Sequence, residues 1–186
     1  MSSPARPRVP PTAARRGGDM RDPKVTSRIM AAVGNRDTKP EVALRSALWR
    51  RRLRFRVRTK LIGKPDIVFP GPHVAVFVDG DFWHGNAWRV RGLPSFEAQF
   101  ERMNNPDFWK AKLEANMARD ATVNVKLTED GWFVYRVFES RLTKDLDGVA
   151  DEIEQLVRGR RATQISTVES IDTSQNCETE KLCRGQ

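Results

Sequence analysis

PDIVFPGPHVAVFVDGDFWHGN, residues 65–86, decides the fold. Ile67-Val68-Phe69 reads as a short strand. Pro70-Gly71-Pro72 then turns the chain, because two prolines fix φ and withhold backbone donors. Val74 to Val78 is an uninterrupted apolar run, the pattern of a strand covered on both faces. The mouth of this pair carries acids, with Asp66 opening the first strand and Asp79 and Asp81 following the second. Directly beyond stand Phe82, Trp83 and His84, the last being one of only two histidines in the chain.

Upstream, Thr38-Lys39-Pro40-Glu41 opens a helix, with Thr38 as the cap and Pro40 in the first turn. Val42, Leu44, Ala47, Leu48 and Trp49 supply its apolar face. Leu53, Phe55 and Val57 alternate with Arg54, Arg56 and Arg58, which predicts a strand with one basic face. Downstream, Asn105-Pro106-Asp107 starts a long helix with Asn105 as cap, and Gly131 ends the helical region. Trp132 to Phe138 reads as a fourth strand. Leu142 to Val157 forms a last amphipathic helix with Leu146, Val149, Ile153 and Leu156 inward. The expected order is α-β-β-β-α-β-α, an α/β domain whose mixed four-stranded sheet is flanked by helices. It spans residues 23–159, between a disordered basic arm (1–22) and a flexible tail (160–186).

The net charge of +9 has a local source. Residues 40–64 hold nine Arg and Lys against one acid, Glu41. Such a field fits a polyanion partner, since each cation placed at a phosphate releases counterions; the plainer alternative is a basic surface serving solubility alone. No run approaches the ~18 apolar residues a membrane span needs, and the N-terminus lacks the apolar core of a secretory signal. Cys177 and Cys183 lie in the polar tail, too few to close a tetrahedral zinc site. A reducing cytoplasm is the expected compartment.

Phosphodiester hydrolysis near neutral pH needs a hard cation and an activated water. Asp66 suits the first role, because magnesium takes one or two carboxylates plus phosphate and water. A strand-opening aspartate is also an ordinary turn residue. His84 follows the carboxylates closely enough to act as a general base, although a lone histidine is commonly structural. Phe82-Trp83, and Phe108-Trp109 on the long helix, can be core, or can be rings that wedge between base pairs. For Phe108 core packing is the expectation.

Taken together, Arg36-Asp37-Thr38-Lys39-Pro40-Glu41, Gly63-Lys64-Pro65-Asp66, Val78-Asp79-Gly80-Asp81-Phe82-Trp83-His84-Gly85 and Asp107-Phe108-Trp109 closely resemble the very-short-patch-repair (Vsr) endonucleases. Lys112, Asn116, Arg119-Asp120 and Gly131-Trp132 continue the resemblance, which covers about residues 22–145. It implies a variant of the PD-(D/E)xK restriction-endonuclease fold. It also implies a magnesium-dependent nick 5′ to the thymine of a T:G pair left by 5-methylcytosine deamination. By position, Asp66 is the expected metal aspartate, and Val78 the residue whose backbone carbonyl serves the metal. His84 is the expected catalytic histidine, and Glu41 the acid that orders water at the metal. Asp79 stands where a further active-site histidine can occur. Phe82, Trp83 and Trp109 match the intercalating rings.

DNA contacts are further expected from Arg45, Arg52, Arg54, Arg56, Lys112 and Arg119. Family members often carry a structural zinc, but the matching positions here are Asp81, Asn86 or Trp88, and Ser140. No structural zinc is therefore expected, and the loop is held by other means, such as Asp81 bonding its backbone or meeting Arg89 or Arg91. The implied protein is a bacterial, nucleoid-associated monomer acting on double-stranded DNA. Alternatives are a site-specific or modification-dependent restriction or defence nuclease, a non-catalytic DNA-binding module, and, least of all, an RNA binder.

Overall fold

The computed structural model describes residues 36–163. Helix α1 (Lys39–Arg50) begins where the proline predicts. It buries Leu44, Ala47 and Leu48, whereas Val42 and Trp49 stay about half exposed. Strands β1 (Ile67–Phe69) and β2 (Val74–Asp79) form the antiparallel hairpin read from the sequence, with Ile67 opposite Val76. The chain then passes through a short helix, α2 (Ala87–Val90), and the long α3 (Pro106–Glu129). It returns in β3 (Phe133–Phe138), parallel to β2 with Val76 opposite Tyr135. A parallel pair needs such a crossover. Helix α4 (Glu139–Lys144) and helix α5 (146–163) close the described region.

The sheet has three strands, in the order β1-β2-β3, not the four expected. Residues 53–57 make only one bridge to it, Arg56 to Val68 on the open side of β1. Arg52 and Arg58 bracket this stretch in left-handed conformation (φ 60° and 58°), and the chain bends away at residues 57–58, directly after the bridge. The last helix is likewise two, broken at Asp145, and α5 runs past residue 159, where the tail was expected to begin. Asn105 stands at the start of α3 but is itself left-handed (φ 58°) and makes no side-chain cap.

β2 is buried on both faces, as its sequence requires. On one face Val74 and Val76 pack with Leu44, Leu48, Val149 and Ile153 from α1 and α5. On the other, Ala75 and Phe77 pack with Val123 and Leu127 of α3. Side chains alternate along a strand, so Asp79 lies on the α3 face, and Arg136 shares that face from β3. Along α3 the inward stripe of Leu113, Val123 and Leu127 also includes Asp120 and Asn124. The α3–sheet interface is therefore apolar at one end and polar at the other. Among the described residues no helix is long and apolar enough to cross a membrane.

Candidate active site

Asp66 immediately precedes β1, and its backbone N–H donates to Val76 O. One carboxylate oxygen accepts the Val78 N–H at 2.8 Å. Burial pushes its pKa up to about 6; that hydrogen bond opposes the rise, while the Glu41 and Asp79 charges add to it. Such a carboxylate is crowded by negative charge and short of water, and a cation beside it relieves both.

Glu41, 4% exposed, is fixed from three sides. One oxygen accepts the Thr38 hydroxyl at 3.0 Å. The other accepts the Asp37 N–H at 2.9 Å and pairs with Arg45 at 2.8 Å. Thr38 thus spends its hydroxyl on Glu41 and makes no side-chain cap to the helix backbone. Arg45 and Arg58 both pair with Asp37. Asp66, Glu41, Arg45 and Arg58 line one cleft of about 390 Å³, whose rim adds Lys60 and Lys64. Two buried polar atoms of its wall, Arg45 Nε and Thr59 Oγ1, have no hydrogen-bond partner.

His84 stands on the loop that follows β2. Its Nδ1 lies 2.5 Å from Asp120 Oδ2 and 3.6 Å from Asp79 Oδ1. A carboxylate at that distance makes Nδ1 the protonated nitrogen and leaves Nε2 for substrate chemistry. Asp79 is 5% exposed and held by both Nε (2.7 Å) and Nη2 (2.8 Å) of Arg136. It is engaged as an ion-pair partner and also bridges the two halves of the site, since it adjoins His84 and its charge reaches Asp66. Glu139 is a further acid here. Burial, then Asp81 and Glu41, hold its carboxyl above the usual range, and His84 pulls the other way.

The loop carrying His84 is pinned by Asp81. Oδ1 accepts the Asn86 amide (2.5 Å) and the Ser140 hydroxyl (2.7 Å), and Oδ2 accepts the Ser140 N–H (3.0 Å). Of the positions that the resemblance sets against zinc ligands, Asp81, Ser140 and Asn86 (rather than its alternative Trp88) thus converge. One carboxylate with both oxygens already accepting hydrogen bonds, an amide and a hydroxyl do not make a zinc donor set. Arg89 instead lies over Trp88, so the alternative of Asp81 meeting Arg89 or Arg91 gives way to Asn86 and Ser140. Gly85 favours glycine: its φ of +73° strains any other residue, and a Cβ there would displace the Met117 side chain of α3. Asp81→Ala strands the Asn86 amide and the Ser140 N–H, so a loss of about 1–3 kcal/mol is expected. Urea denaturation of the two proteins measures it.

Phe82, Trp83 and Trp109 come together, with centroids 5.1–6.1 Å apart. Lys112 Nζ lies 5.4 Å from the Trp83 ring, and Asn116 donates to Trp83 O. Phe108 is 57% exposed and is not core. The arginines divide. Arg45 is in the cleft wall, Arg54 and Arg56 line a second cleft with Arg161 at the Phe69–Pro72 end of β1, and Arg52 is exposed. Arg119 is exposed and bonds Asn116. His73 sits in its turn, stacked on Trp132. Asp120's hold on His84, Arg136 and Glu139 were not found from sequence. The available signal was Asp120 and Asn124 recurring on the buried stripe of α3, where apolar residues belong.

Paired acids at a strand mouth, an imidazole braced by a carboxylate and a basic cleft wall are the equipment of a phosphodiester-cleaving hydrolase. The family model described as "DNA mismatch endonuclease Vsr" matches residues 18–90. The chain is 37% identical over 144 residues to the type II nicking enzyme V.NmeDIP of Neisseria meningitidis serogroup C, covering 77% of this chain and 93% of that protein. It is 41% identical over 140 residues to the type II nicking enzyme V.NaeI of Lentzea aerocolonigenes (72% and 79%). It is 31% identical over 156 residues to the DNA mismatch endonuclease Vsr of Escherichia coli (80% and 94%). The chain belongs to the Vsr family and is a DNA nicking endonuclease.

Proposed function

We propose that the chain uses magnesium to nick one strand of duplex DNA 5′ to the thymine of a T:G mismatch, acting as a monomer. The observation that supports the nicking chemistry of this reading is the adjacency of Asp79 to both halves of the site, with His84 3.6 Å away and Asp66 within reach of its charge. The donor chemistry fits magnesium, a hard ion content with few carboxylates and several waters. Asp66 and the Val78 carbonyl would hold it. Among the described residues no three acidic, histidine or cysteine side chains converge on a metal position, and a site built this way does not require them. When bound, the ion supplies positive charge at the phosphate and lowers the pKa of water.

The chain's own groups do the rest. His84 takes the proton of the attacking water at Nε2 while Asp120 keeps the ring oriented through Nδ1. Arg58, Lys60 and Lys64 meet the backbone phosphates, and the unpartnered donors of Arg45 and Thr59 are suited to an anionic ligand. Phe82, Trp83 and Trp109 form a wedge for an unstacked base step; a mismatched pair is cheaper to open than a paired one.

The deciding experiment compares nicking of T:G and T:A duplexes of otherwise identical sequence, with and without magnesium. A preference for T:G on the order of 10- to 100-fold is expected, the equivalent of about 1–3 kcal/mol for one altered pair. Faster nicking of the paired duplex retires the mismatch reading and leaves a site- or modification-directed nickase. Nicking at full rate in chelator retires magnesium.

A further inference from the structure

We propose that Arg136 is a positioning residue for the nicking reaction, the group that decides which carboxylate accepts the hydrogen bond from the His84 Nδ1–H. Two acids compete for that nitrogen: Asp120 Oδ2 at 2.5 Å and Asp79 Oδ1 at 3.6 Å. Arg136 settles the competition. Its Nε and Nη2 take the two oxygens of Asp79 at 2.7 and 2.8 Å. Nη2 also reaches Asp120 Oδ1 at 2.8 Å, so Asp120 presents its other oxygen to the ring. Nη1 donates to Asn124 at 3.1 Å, and the guanidinium lies 4.7 Å from the Phe77 ring centroid. Held at all three nitrogens and along one face, the fork has a single orientation. Burial works against its charge, and Asp79, then Asp120, more than restore it.

A purely structural ion pair needs only one partner for Arg136. Here one guanidinium spans both acids that adjoin the catalytic imidazole, and this geometry fixes the ring rather than merely neutralising a buried charge. Lysine cannot copy it, because a point charge has no planar fork. The inference rests on the nicking reading for its kinetics but not for its geometry.

The test uses Arg136→Met and Arg136→Lys in the full-length chain, assayed on the T:G duplex and by 15N NMR of histidine-labelled protein. Only His73 and His84 contribute signals. At mildly alkaline pH the wild-type His84 is expected to carry its proton on Nδ1. In both variants kcat should fall about 10- to 100-fold with KM for DNA unchanged, as is usual when the partner orienting an active-site histidine is disturbed. The His84 nitrogens should shift towards a tautomer mixture while those of His73 stay put. A folded variant with wild-type kcat overturns the proposal, and so does a slowed variant whose His84 spectrum is unchanged. If Arg136→Met fails to fold, Arg136→Lys carries both readouts. If neither folds, a wild-type His84 protonated on Nε2 overturns the proposal and one protonated on Nδ1 supports it. A wild-type protein that nicks no duplex refutes the nicking reading, whereas the spectra still decide the hold of Arg136 on His84.

Discussion

Asp66→Asn is expected to lower the nicking rate by about 10³-fold or more while raising the stability of the metal-free protein at neutral pH. On the proposed magnesium reading, the first effect follows from removing the charge that would anchor the cation, whose contribution to a transition state is several kcal/mol, at ~1.4 kcal/mol for each factor of ten. The second follows from the burial of Asp66. Its pKa in the folded chain is about 6, against an ordinary value of 3.8. A carboxyl whose pKa is raised by folding favours the folded state in its protonated form. That contribution is complete below about pH 4 and is lost as the pH rises through the folded value. At neutral pH the wild type therefore carries a strained carboxylate that asparagine lacks. The variant gains up to roughly 3 kcal/mol, because about two pKa units separate the states.

Thermal melting in chelator, read across pH, measures the gain. The two proteins should melt together in acid and diverge towards alkaline pH, with magnesium closing the gap by stabilising the wild type alone. Equal melting temperatures throughout would mean that burial does not disfavour the Asp66 carboxylate. An unchanged nicking rate would remove it from the reaction.

The legible part of this molecule is local. The hairpin was readable because Pro70 and Pro72 bracket a turn and Val74 to Val78 has no polar interruption. The start of α3 was readable because Pro106 tolerates only a first-turn position. Asp66, Glu41 and His84 were found through short motifs. What misled was also local: the alternation of Leu53, Phe55 and Val57 with arginines has the period of a strand. Period cannot reveal that Arg52 and Arg58 turn left-handed or that the chain bends at residues 57–58, and one bridge stands where a strand was expected.

What stayed hidden depends on residues far apart in the chain. Asp120 meets His84 across 36 positions, and Arg136 meets Asp79 across 57. No spacing rule links them. Asp79 shows how much of a position's surroundings an analogy leaves out. The resemblance marks it as catalytic; the structure adds that both its oxygens accept from Arg136, a contact no analogy supplied. The zinc-matching positions show the reverse. Asp81, Asn86 and Ser140 have no shared motif, yet they meet and pin the loop through hydrogen bonds.

His84→Ala is expected to reduce kcat by about 10²- to 10⁴-fold, the usual contribution of a positioned general base, with duplex affinity retained. Affinity should survive because the cationic wall of Arg58, Lys60 and Lys64 and the rings of Phe82, Trp83 and Trp109 do not depend on the imidazole. Asp120→Asn should fall in the same direction by a smaller factor: an amide can still bond Nδ1 but can present its NH₂ to the ring and favour the wrong tautomer. Because Asp120 acts only through His84, the losses should not add. The double variant should be no slower than His84→Ala alone. Single-turnover nicking of a T:G duplex, paired with a binding titration in calcium, separates chemistry from affinity. Additive losses would show that Asp120 acts on the substrate independently. A His84→Ala protein that nicks at the wild-type rate would move the proton-accepting role to another group, for which Glu139 is placed, its carboxyl raised by burial, Asp81 and Glu41 and lying within the field of His84.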